Sequence, residues 1–328
     1  MPLFRRSKAE DGNPVLRLYY ASDIHGTEVL WRKFLNAPKY YKAQILVMGG
    51  DITGKLVVPV VQAEDGVYTA QLFGKKRRAT SETELEKLET RIRGNGMYPY
   101  RTTADEVARI SQLPEAEQEQ WFEGVMLETF ERWIKLADER LNGTDIRCFV
   151  MPGNDDPPSL EEHIGVARRV ESCDEKIVEF DGYTMLSLGY SNRTPWDSPR
   201  ELDEDDLHAR IVALADRVED QSRCIWNIHV PPYDSRLDTA AELDADFKVV
   251  LVGKEPKLIP VGSTAVRETI ERYQPLTALH GHIHESPGAI RLGRTLCLNP
   301  GSDYHTGRIS GVIVNLRGDK LNHQFVAG

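Results

Sequence analysis

Five times along the chain a short apolar, β-branched run without polar alternation is followed at once by polar residues. LRLYYAS (16–22) leads into Asp23 and His25, ILVMGG (45–50) into Asp51, and RCFVMPG (147–153) into Asn154 and Asp155. CIWNI (224–228) leads into His229 and then Pro231-Pro232, and PLTALHG (275–281) into His282 and His284. Such runs predict strands buried on both faces, as in an α/β sandwich, where ligands gather beyond the carboxyl ends of the strands. Five strand ends are therefore expected to point their polar residues at one place.

The interval between the second and third runs is far longer than an ordinary connection, so segment 55–145 is expected to hold structure of its own, inserted into a single domain spanning 1–328. LVVPVVQAEDGVYTAQLFG (56–74) predicts a hairpin turning at Glu64-Asp65-Gly66, and KKRR (75–78) a solvated turn. Helices are predicted over 81–93 and about 115–141; the second carries Phe122, Met126, Phe130, Trp133, Ala137 and Leu141 at helical spacing and stops at Asn142-Gly143. The insertion is a candidate lid. Downstream, 201–220 predicts an amphipathic helix with an acidic first turn, and 262–274 a helix capped by Ser263 or Thr264. The tail runs AIRLG, RTLCLN, SGVIVNL and LNHQFVA predict a second sheet layer.

Composition narrows the class. With 40% hydrophobic and 28% charged residues the chain reads as globular, and no apolar run approaches the ~18 residues of a membrane helix. The opening MPLFRRSKAEDGNP has no apolar stretch behind its arginines, which predicts a cytoplasmic protein without a secretory leader. Lys and Arg number 41 against 51 Asp and Glu, a formal charge of -10, which argues against a broad grip on a nucleic acid polymer. An anionic substrate would then need positive charge from another source. The four cysteines (Cys148, Cys173, Cys224, Cys297) form no CxxC pair, so neither a zinc knuckle nor a disulfide framework is expected.

Each polar motif alone is commonplace in turns and helix caps. The ordered series Asp23-x-His25, Gly50-Asp51, Gly153-Asn154, His229 and Gly281-His282-x-His284, each at a predicted strand end, is not. Carboxylate oxygen and neutral imidazole nitrogen suit Mn, Fe or Zn, and a carboxylate such as Asp51 can bridge two divalent ions that hold a hydroxide nucleophile and clamp a phosphoryl group. Two metal ions would also supply the missing positive charge. Outside the series, Asn192 and Arg193 are candidates for reaching substrate, Arg193 because a guanidinium matches phosphate geometry. Gly262-Ser263 at a helix start could bind phosphate or simply cap the helix, and His280 is expected to orient a ligand from behind.

The blocks DIHG, GGDITG, PGNDD, NIHVPP and GHIH, in this order, resemble the calcineurin-like metallophosphoesterases, and NPGS (299–302) resembles one bacterial and archaeal branch. The resemblance runs from about residue 16 to 302 and implies a four-layer αββα sandwich of two mixed sheets flanked by helices, with a dinuclear site between the sheets. Carried over by position, one metal takes Asp23, His25, Asp51 and His284, and the other takes Asp51, Asn154, His229 and His282. Asp51, Asn154 and His229 fall at the reaction centre, with Asn154 also facing substrate. Many members place a histidine directly after the Asn of GN; here it is Asp155, which is read, with Asp156, as a turn or cap before Pro157-Pro158. Losing that imidazole tilts the expected activity toward phosphodiesters over monoesters, by attack of a metal-bridging hydroxide on a small phosphorylated molecule, a nucleotide among the candidates. The alternative is a non-catalytic metal-binding scaffold or interaction module on the same fold.

Overall fold

Alternate side chains of the buried strands serve different layers. On Leu16–Ala21, Leu18 and Tyr20 enter one apolar cluster while Tyr19 and Ala21 enter another; Ile45–Met48 and Arg147–Val150 divide their residues the same way. A strand apolar on both faces must be covered twice, which builds layers. The computed structural model describes residues 15–328; the reading of the opening segment 1–14 lies outside them.

Two six-stranded mixed sheets result. The first runs in the order Lys320–Ala327, Ser310–Arg317, Leu16–Ala21, Ile45–Met48, Arg147–Val150, Glu171–Ser172, its last four strands parallel. The second is Gly288–Leu292, Thr295–Asn299, Thr277–Leu279, Cys224–Ile228, Tyr183–Leu188, Ile177–Phe180, parallel through its four central strands. Leu18, Val47 and Phe149 of the first sheet meet Met185, Ile225 and Leu298 of the second in the middle layer. Helices Glu28–Tyr41, Glu115–Leu141 and Leu160–Gly165 cover the outer face of the first sheet through Trp31, Phe34, Phe130, Trp133 and Leu160. Helices Glu204–Ala215 and Thr264–Tyr273 cover that of the second through Leu207, Ile211, Val266 and Ile270. The four-layer αββα arrangement expected from the sequence is present, and each such buried side chain contributes ~1.5–3 kcal/mol.

Segment 55–145 divides in two. Strands Leu56–Gln62, Tyr68–Leu72, Lys75–Ala79 and Met97–Thr103 form a separate four-stranded sheet, covered by helix Glu82–Arg93 over a small core of Val58, Val60, Leu72, Leu85 and Ile92. The long helix Glu115–Leu141, by contrast, packs its aromatic stripe into the main domain, where Trp133 stacks on Trp31 at 5.8 Å.

Four local expectations are corrected. KKRR is a strand, not a turn: Lys75–Ala79 pairs antiparallel with Tyr68–Leu72 at the sheet edge. Charged side chains on an edge strand block pairing with another chain, so the charge run and the strand are compatible. Met97–Thr103, which pairs parallel with Leu56–Gln62 over seven residues, and helix Ala104–Ser111 go beyond the expected elements. The acidic helix spans Glu204–Ala215, shorter than 201–220, because Glu201-Leu202 pairs with Ser191-Asn192 before it begins. The tail strands do not form one layer; the pair 288–299 joins the second sheet and the pair 310–327 joins the first.

Candidate metal centre

Parallel strands place their carboxyl ends on one side, and the five motif loops meet there. Asp23, His25, Asp51 and His284 each offer one donor atom in a group whose atoms lie within 4.8 Å of one another, and Asp51, His229 and His282 form a second such group. Asp51 belongs to both. Asn154 adjoins the second group, its side-chain oxygen 3.1 Å from His229 Nε2. All seven expected donors are therefore brought together.

The backbone is bent to achieve this. Asp23, His25, Asp51 and His282 have positive φ angles of 58, 38, 50 and 64°, a left-handed conformation that costs roughly 1–3 kcal/mol at a non-glycine residue and clusters at functional sites. Glycine makes room for the carboxylates. A Cβ on Gly153 would stand 2.2 Å from Asp51 Oδ1, and one on Gly281 would stand 2.3 Å from Asp23 Oδ2.

The donor chemistry calls for a cation. His229 Nδ1 lies 2.8 Å from the Gly49 carbonyl oxygen, which can only accept, so Nδ1 carries a proton and Nε2 faces inward, where it can hold either a second proton or a metal ion. Around Nε2 stand Asn154 Oδ1 at 3.1 Å and Asp51 Oδ2 at 3.3 Å, also acceptors. The Nε2 atoms of His25 and His284 lie 3.0 Å apart, with Asp23 Oδ1 3.3 Å from His284. Carboxylate and amide oxygens crowded around imidazole nitrogens in a buried site favour a proton or a metal cation among them. The proton affinities express the same field. Burial works against a charged His229, yet Asp51 and Asp23 outweigh it and push the imidazole up to about 10. Burial, together with His284, brings His25 down to about 4, and burial with His229 brings His282 down to about 3. Burial opposes ionisation of Asp23, but His284, His229 and His25 hold its carboxyl below the ordinary range. Burial raises Asp51, only partly countered by His229. The residues present form two donor groups that share Asp51, and each could hold a metal ion.

The loops are braced from behind. Asp156 is wholly buried and accepts from the backbone N–H of Ile52, Thr53 and Gly153 and from the Thr53 hydroxyl (2.6 Å), tying the Asp51 loop to the Asn154 loop. His280 Nδ1 lies 2.8 and 3.0 Å from the carbonyl oxygens of Ile228 and Val230, on either side of His229. Its contacts therefore run to the backbone on either side of His229. Asn299 donates to the Ile283 carbonyl (2.9 Å) and Ser302 to that of Asp23 (2.6 Å), so NPGS fastens the histidine loop to the first strand end. The Tyr304 ring, unforeseen from the sequence, sits 4.8 Å from that of His25.

Several other candidate residues take partners away from the donor cluster. Arg193 turns outward to Asp203 (2.9 Å) and Asp197 (3.9 Å), both on its own surface, and Asn192 donates to the Val261 carbonyl (3.4 Å); neither joins the donor cluster. Gly262-Ser263 is a cap and nothing more: Ser263 Oγ accepts from Val266 N–H, and the Glu204 carboxylate occupies the free N–H groups of Thr264 and Ala265. Asp155 and Asp156 do not cap the helix after the prolines, which begins at Leu160 with Ser159 before it. Asp155 instead lies on the rim of the cluster. Its N–H donates to Asp51 Oδ1 (3.0 Å), its Oδ2 is 3.9 Å from His25 Nδ1, and it is paired with Lys55 at 2.6 Å.

No protein-family model matches the chain. The uncharacterized protein MJ1162 of Methanocaldococcus jannaschii is 26% identical over 179 residues, 54% of this chain and 71% of that protein. The crystal structure of TT1561 of Thermus thermophilus superposes over 94% of this chain and 98% of its own, at 14% identity and a TM-score of 0.51. Another crystal structure matches over the same shares at 16% identity and a TM-score of 0.55. At such identities these likenesses establish the fold alone. Beside the shared fold, the chain has clustered Asp and His donors that could hold metal.

Proposed function

We propose that the chain is a dinuclear metal-dependent phosphoesterase that hydrolyses a small phosphorylated molecule, phosphodiesters in preference to monoesters. The observation that carries this reading is the membership of Asp51 in both donor groups, which lets one carboxylate hold two ions side by side. Asp23, His25 and His284 would complete the first ion's ligands, and Asn154, His229 and His282 the second's. Bound there, a pair of ions supplies a water-derived nucleophile at neutral pH and neutralises charge on the phosphoryl oxygens. The protein's own contribution is placement. The Gly49 carbonyl fixes the His229 tautomer, and His282 N–H, 3.0 Å from Asp23 Oδ1, fixes that carboxylate. Asn154 keeps its oxygen toward His229 and its amide nitrogen toward the rim, where it can donate to a phosphoryl oxygen.

The diester preference follows from position 155. No imidazole stands there to protonate a leaving oxygen, which matters less when the leaving group is good or the substrate is a diester. A small molecule fits the charge of -10 better than a polymer, and no helix among the described residues is long and apolar enough to cross a membrane. Four free, buried cysteines support a reducing, cytoplasmic setting. Assay with Mn²⁺ on bis-aryl and mono-aryl phosphates is expected to give the higher kcat/KM on the diester. A monoester preference would contradict the assigned specificity, and inactivity on both would favour a non-catalytic scaffold.

A further inference from the structure

The loop that carries Asp51 ends four residues later in a lysine that the metal centre does not use. Lys55 Nζ is 2.6 Å from Asp155 Oδ2, and its side chain is 61% exposed against 12% for Asp155. Its position is fixed by the root of the small sheet. Gly54 N–H donates to the Tyr98 hydroxyl at 2.6 Å, and the Gly54 and Gly96 backbones approach so closely that a Cβ on Gly54 would lie 2.2 Å from the Gly96 carbonyl oxygen. Gly96 in turn packs on the His25 carbonyl. The inserted sheet is thus anchored to the site, and Lys55 is its first residue beyond the anchor.

Stability does not account for this arrangement. An exposed ion pair contributes at most about 1 kcal/mol and orders a long side chain at an entropic cost. Charge at the site does account for it. Asp155 Oδ1 is taken up by the Ser198 hydroxyl (2.7 Å) and the Asn154 amide (3.3 Å), leaving Oδ2 to Lys55 on the side where it stands 3.9 Å from His25. Unmatched, that carboxylate would repel a bound phosphoryl group, and repulsion scales with the product of charges, so a monoester dianion suffers more than a diester monoanion. Arg200, the other cation close by, is buried and spent on Asp174 and the Gly153 carbonyl.

We propose that Lys55 masks the Asp155 carboxylate and that this pair sets how much negative charge the site accepts on its substrate. The proposal rests on the phosphoesterase reading above and assigns to the inserted sheet a part in specificity. Lys55 acts through Asp155 as a positioning residue for charge, so its effect depends on the Asp155 side chain 2.6 Å away.

The test compares the intact protein with Lys55→Ala, Asp155→Asn and the double variant, using p-nitrophenyl phosphate, bis-p-nitrophenyl phosphate and binding of inorganic phosphate. Lys76→Ala, the same charge change on the exposed edge strand, is the control and is expected to change nothing. Lys55→Ala is expected to lower monoester kcat/KM and phosphate affinity about tenfold, and diester kcat/KM about threefold or less, at unchanged thermal stability. Asp155→Asn is expected to raise the monoester-to-diester ratio. In the double variant the loss should disappear, and Lys55→Arg should restore the wild-type ratio. An equal loss from Lys55→Ala with and without Asp155→Asn, or no loss, overturns the mask. If the wild-type protein hydrolyses neither ester, the phosphoesterase reading fails, and phosphate binding across the variants still decides the mask. Absence of phosphate binding as well overturns both.

Discussion

Asp51→Asn is expected to abolish metal-dependent hydrolysis, lowering kcat/KM by at least about 10³. The amide keeps the size and one acceptor of the carboxylate, so folding should survive, but it removes the charge from the one residue common to both donor groups. Its Oδ2 is 3.3 Å from His229 Nε2 and 3.8 Å from His25 Nε2, one imidazole from each group, and a neutral amide oxygen is a weak partner for two divalent ions at once. The variant should bind fewer than two metals per chain. Near-normal turnover with both metals retained would contradict the bridging role. His229→Ala would touch a single group, so the contrast between the two variants also tests which residue is shared.

The largest effect on stability is expected from Asp156→Ala, about 3–5 kcal/mol. Its carboxylate is wholly buried and accepts from three backbone N–H groups and one hydroxyl, at 2.6 to 3.1 Å. Removing it leaves the N–H groups of Ile52, Thr53 and Gly153 buried without partners. Asp156→Asn should fare little better, because its amide hydrogens would face donors. These bonds hold the Asp51 and Asn154 loops in register, so weaker metal binding should accompany the lower stability in urea or thermal unfolding. A loss below about 1 kcal/mol with metal affinity intact would show that the loops hold their shape without this carboxylate.

The strand ends were legible because a strand apolar on both faces leaves a continuous run, and because each run stops in a residue type that binds metals. Leu16–Ala21, Ile45–Met48, Arg147–Val150, Cys224–Ile228 and Thr277–Leu279 all fall inside the expected runs, and the seven donors follow from them. What was not legible depended on partners distant in sequence. KKRR became a strand because Tyr68–Leu72 offered its edge, which local charge does not reveal. Asp155 and Asp156 resemble helix caps in isolation; their partners, Lys55 and the backbone of residues 52–53, lie about a hundred positions earlier. Arg193 has the right chemistry for phosphate, and its pairing with Asp203 in the fold is not visible from its neighbours in sequence. Tyr304 carried no signal at all, since its place against His25 arises only when the chain returns to the first strand.

The most direct measurement of the central claim is metal content per chain in protein purified without chelators, combined with hydrolysis of bis-p-nitrophenyl phosphate before and after EDTA. Two metals per chain and a rate lost to EDTA and restored by Mn²⁺ are predicted. Protein that takes up no metal and shows no rate even with Mn²⁺ would contradict the dinuclear phosphoesterase and leave the donor cluster as the core of a binding protein.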